Sequence, residues 1–216
     1  VIKTIRHKMS ESTLLAKKKS EGTTSKNPLR ESFVNPENRR LVLLALFGAT
    51  AGQGVIWYTG QFYAMSFMEK ILKLPRDGVW MTVGAALLLA TPLFIVFGRL
   101  SDRIGRKKVM LTGMGLAILL YLPLFHLMTI AGANPELPQW VLLGALVFVQ
   151  VVFVTMVYGP VAAFLVELFP TRIRYTSMSL PYHIGNGVFG GLVPLISSAV
   201  VANTGNKLSG LFYPLA

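Results

Sequence analysis

The stretch GRLSDRIGRKKVML, residues 98–111, constrains the fold more than any other part of the chain. It is a dense knot of mixed charge between two long uncharged runs. Residues 78–98 before it and 109–135 after it contain no Asp, Glu, Lys or Arg. About 20 apolar residues cross the hydrocarbon core of a bilayer as a helix, so both runs are long enough to span. Charge is costly within hydrocarbon and solvated at its edge. The knot is therefore expected to be a short turn joining two membrane-spanning helices.

The same logic divides the rest of the chain. Spans are expected over residues 41–68, 79–98, 109–131, 140–168 and 176–202, and residues 209–216 begin a sixth apolar stretch. The fold class is thus an all-α membrane protein, a bundle of five full transmembrane helices plus a truncated sixth. Residues 1–40 form a separate basic loop, and residues 41–216 form the transmembrane bundle. The charged fraction of 14% is well below the roughly 25% of a soluble domain, in keeping with lipid as the solvent. The chain opens on Val1, shows no signal-peptide pattern, and reads as an internal fragment.

The net charge of +12 could suit nucleic acid, but the placement of the charges excludes that reading. Residues 1–40 hold ten Lys or Arg against four Glu, the knot adds Arg99, Arg103, Arg106, Lys107 and Lys108, and the turn after the fourth span adds Arg172 and Arg174. Loops on the other side hold only Lys70, Lys73, Arg76 and Lys207. Seventeen against four places residues 1–40 in the cytoplasm, because basic loops stay there. Within that segment Leu14 and Leu15 offer an apolar contact to the bundle, and Pro28 and Pro36 interrupt any long helix. Its charge also favours the anionic inner leaflet. No cysteine is present, which excludes disulfides and thiolate metal sites. The sequence has no phosphate-binding loop, nucleophile–base pair or His/carboxylate metal cluster, so no enzyme, metal or cofactor is expected.

The knot resembles the loop signature of the major facilitator superfamily, Gly-x-Leu-x-Asp-Arg-x-Gly-Arg-Lys/Arg, through Gly98, Leu100, Asp102, Arg103, Gly105, Arg106 and Lys107. The run VYGPVAAFLVELFPTRIRYTSMSLPYHIGNGVFGGLVPLIS resembles the tenth and eleventh helices of its metabolite:proton symporters. GQGVIWYTGQFYAMSF resembles their seventh helix, and ESTLLAKKKSEGTTSKNPLRESF their central cytoplasmic loop. The resemblance implies a C-terminal half, helices seven to eleven and the start of twelve, built from two inverted three-helix repeats. It implies a multi-pass protein of the bacterial inner membrane, partnered by lipid and by a missing N-terminal six-helix half. It further implies alternating-access symport of a small metabolite, an organic acid or osmolyte, with a proton. A proton-independent facilitator and a non-transporting membrane sensor are the alternatives.

Within that resemblance, Asp102, Arg103, Arg106, Glu167 and Arg174 are the candidate gating network; the bland alternative is positive-inside anchoring alone. Glu167 needs a cationic partner at the membrane edge. Gln53, Trp57 and Gln61 recur at i, i+4 on one helical face. With Tyr58, Tyr158 and Asn186 they are the cavity candidates, although such amides also serve to join helices. Tyr158 precedes Gly159-Pro160, where a kink is expected; it reaches substrate or caps that kink. His183 is the proton-coupling candidate, against a structural hydrogen bond, since histidine titrates near neutral pH. The third span has few polar groups and is expected to face lipid.

Overall fold

The computed structural model describes residues 27–171 and 173–216, and among them every regular element is helical. Most of the basic segment, including Leu14 and Leu15, and also Arg172, lie outside the described residues. A short helix, α1 (Pro28–Val34), leads into α2 (Pro36–Ile71), α3 (Arg76–Ile104), α4 (Arg106–Ala131), α5 (Trp140–Leu168) and α6 (Arg174–Thr204). The last five are long and apolar enough to cross a membrane. A single 3₁₀ turn, Ser209–Leu211, and one helical turn, α7 (Phe212–Leu215), follow.

The two prolines begin helices rather than merely interrupting one. Pro28 and Pro36 occupy the first turns of α1 and α2, where the missing N–H costs nothing. The preceding Asn27 and Asn35 accept from Arg30 N (3.2 Å) and Glu37 N (2.9 Å) as N-caps. Helix α2 therefore starts before the uncharged run does. On α1, Ser32 is fully buried, and its hydroxyl bonds that of Ser177 on α6 at 2.6 Å, tying the pre-membrane helix to the start of α6.

Apolar side chains gain no hydrophobic free energy by leaving lipid for one another, so close packing must hold the helices together. Helix α5 is the spine, over half buried and packed along both α3 and α4. Small residues permit the approach: a Cβ on Gly113 of α4 would lie 2.8 Å from Cβ of Met156, and one on Gly60 of α2 would lie 3.0 Å from Val154. Behind α2, Tyr63 and Phe67 pack on Phe125 of α4 with centroids 5.3 and 5.0 Å apart. Helix α4 turns Ile118, Leu119 and Leu122 outward, as expected of a lipid-facing span. Helices α3 and α6 are nevertheless less buried than α4.

Two features of the backbone position the site. The turn between α3 and α4 is one residue, Gly105, whose φ of +102° disfavours any side chain. The second is in α2, where three π-helical turns (Leu46–Thr50, Thr59–Tyr63, Phe67–Ile71) widen a glycine-rich helix. Another, Gly185–Gly190, widens α6 where it crosses α2. At that crossing the backbones nearly touch: a Cβ on Gly54 would lie 2.5 Å from Gly185 O, and one on Gly185 2.5 Å from Thr50 C.

Candidate functional site

The knot forms its charged cluster around one residue. Because Gly105 reverses the chain in a single step, Arg106 begins α4 directly beside the end of α3. Its Nη1 donates to Asp102 Oδ1 at 2.6 Å, and its Nε donates to Glu167 Oε1 at the end of α5 at 2.7 Å. Ser101, buried against Gly98 O, also receives Nη1 at 3.4 Å. One guanidinium thus clasps three helix ends, and the planar fork of arginine suits two carboxylates better than a lysine would. Asp102 and Glu167 keep more than half of their side-chain surface exposed, so water competes for the pairs and each contributes little to stability.

The other two basic candidates stand apart from this clasp. Arg103 is exposed on the surface. Arg174 donates Nε to Phe169 O at 3.0 Å, satisfying a carbonyl left free just beyond the last turn of α5.

Deeper in the bundle, Gln53 and Asn186 form a reciprocal amide pair across the α2–α6 crossing, with both N–H···O distances 3.1 Å. Asn186 also donates to Tyr182 O at 2.9 Å, and Thr50 donates to Pro181 O at 2.8 Å. One turn along α2, Trp57 lies against Tyr158 of α5 with centroids 4.4 Å apart, and Phe94 of α3 meets Tyr158 edge-on at 6.1 Å. The Tyr158 hydroxyl bonds that of Tyr182 on α6 at 2.5 Å. Four helices contribute rings to this cluster, and α4 contributes none. Val55, Ile56 and Ala51 line the opposite side of α2 with Tyr121 of α4, so the cluster occupies the side of α2 turned away from α4.

The remaining candidates are more dispersed. Tyr58 packs on the other side of the crossing, where a Cβ on Gly190 would meet its ring at 2.6 Å. Gln61 lies within a π-helical turn; its side chain is buried and its Nε2 has no hydrogen-bond partner. The widened turn departs from the 3.6-residue period on which its alignment with Gln53 and Trp57 was expected. His183 is exposed, its ring edge-on to Tyr182 at 5.7 Å. Phe94, Tyr182 and Ser101 escaped sequence reasoning. Only the i, i+4 spacing of Tyr182 to Asn186 could have flagged one of them.

These features define a class: a multi-pass helical membrane protein with a charged clasp at one end and an uncharged, aromatic-rich face at depth. Residues 9–213 match the family model of the Major Facilitator Superfamily, and the chain belongs to that family. It is 30% identical over 171 residues to a protein of Staphylococcus haemolyticus provisionally named a proline/betaine transporter, covering 79% of this chain and 35% of that one. It is 33% identical over 185 residues to the citrate-proton symporter of Klebsiella pneumoniae, covering 84% of this chain and 39% of that one. The chain thus spans rather more than a third of the length of these relatives. They are transporters rather than enzymes. No solved structure is significantly similar to it.

Proposed function

We propose that this chain is the C-terminal half of a secondary transporter that carries a small metabolite, an organic acid or osmolyte, across a bacterial inner membrane with a proton. Residues 1–40 are its cytoplasmic central loop and residues 41–216 its transmembrane bundle. The Arg106 clasp carries this reading. Alternating access needs pairs that break and re-form as helix ends separate, and a guanidinium shared between carboxylates on different helices at a wet surface meets that need. His183, exposed beside Tyr182, is the coupling group. Both relatives are named as transporters; only the citrate one is named for a proton, and the two names divide on substrate.

A proton-independent facilitator is the second reading. It is favoured by the charge pattern, because no carboxylate lies between Arg40 and Glu69, between Asp77 and Arg99, or between residues 140 and 166. Uptake by the full-length transporter in proteoliposomes tests both. Accumulation that collapses with a protonophore and falls at least about tenfold in Arg106→Gln supports gated symport. Equilibration indifferent to the gradient leaves the facilitator. Ligand binding with no flux would make the protein a sensor instead.

A further inference from the structure

The inference concerns the substrate class and rests on the transporter reading above. We propose that the face shared by α2, α3, α5 and α6 holds a quaternary ammonium group, the cationic end of a small betaine-like zwitterion, against the rings of Trp57, Phe94 and Tyr158.

The polar groups around these rings already serve one another. Gln53 and Asn186 satisfy each other's amides in both directions, and the two tyrosine hydroxyls share a hydrogen bond. What remains for recognition is aromatic surface: three half-buried rings from three helices, with centroids 4.4, 6.1 and 6.5 Å apart. Aromatic faces attract a cation within about 6 Å of the centroid, more strongly when water is excluded. No Lys or Arg lies in residues 41–69, 77–98, 140–171 or 175–206, so these helices offer a multiply charged anion no counter-charge at this depth. These helices carry no Asp or Glu at this depth either, so against this face a primary ammonium would bury N–H donors with no carboxylate to receive them. A methylated ammonium has no N–H to satisfy, and rings suffice. The paired hydroxyls still have one O–H to give, and it suits the carboxylate end of the same molecule.

The test uses the full-length transporter in proteoliposomes with labelled glycine betaine, L-proline and citrate. Saturable betaine uptake is expected, uncompeted by citrate. Trp57→Leu should raise the betaine KM about tenfold, and Trp57→Phe, which keeps a ring, by less than about threefold. If Trp57→Leu fails to reach the membrane, Phe94→Leu supplies the same comparison. Citrate or proline uptake without betaine uptake overturns the inference and leaves the transporter reading standing. So does a betaine KM indifferent to Trp57→Leu. If nothing moves, the transporter reading fails alone, and binding decides the inference. The fluorescence of Trp57, in a full-length background with Trp80, Trp140 and every tryptophan outside this chain replaced by Phe, should change saturably when titrated with betaine. A flat titration overturns it.

Discussion

The knot end and the α2–α6 crossing solve the problem of joining helices in opposite ways. At the knot, full charges meet on a wet surface, where water can take over from either partner when they part. At the crossing, neutral amides and bare backbone meet among apolar side chains, where nothing replaces a lost partner. The first kind of joint can open repeatedly at low cost. The second is suited to remain closed. Function and fold stability are therefore expected to respond to mutation in opposite orders at the two places.

The strongest way to break this contrast is at the crossing. Gly185→Ala should destabilise the bundle by about 2–3 kcal/mol, since its Cβ would meet backbone rather than a yielding side chain. Gly48→Ala, which opens on empty space, should melt close to wild type, and thermal melting in detergent compares the two. Next in size is Gly105→Ala, expected to cost about 2 kcal/mol through its positive φ and to show in the same assay. Smaller still, a double-mutant cycle on Gln53→Ala and Asn186→Ala should give a coupling of about 1 kcal/mol; additive effects would mean that the amide pair does not hold the crossing. Asp102→Asn should have the smallest effect on stability, under about 1 kcal/mol, yet should slow uptake severalfold. A large loss of stability with unchanged flux would make the knot a structural joint and erase the contrast.

The spans were legible because hydropathy and helix length act locally, and a single charged knot sufficed to mark a turn. That Glu167 would meet an arginine was legible too, since a carboxylate at a helix end beside lipid favours a cation even where water can also serve it. Which arginine answers was not. Arg103, Arg106 and Arg174 all lie near one end of the bundle in sequence, and only the one-residue turn at Gly105 aims Arg106 between the two carboxylates. Phe94 could not be told from a lipid-facing phenylalanine, because its partners Trp57 and Tyr158 lie on other helices. Gln53 and Trp57 emerged from spacing alone, but Gln61 sits in a π-helical turn that the 3.6-residue period does not anticipate.

The bond between Ser32 and Ser177 joins residues 145 positions apart, and this bears on the order in which the protein is made. The start of α1 leaves the ribosome before any of the five long helices, yet its partner on α6 is not synthesised until four of them are complete. Helix α1 can meet α2 at once, where Asn38 Nδ2 donates to Glu31 O at 3.1 Å, but its bond to α6 must wait until α6 arrives. The first described segment of the chain thus reaches this contact only after four long helices have been made.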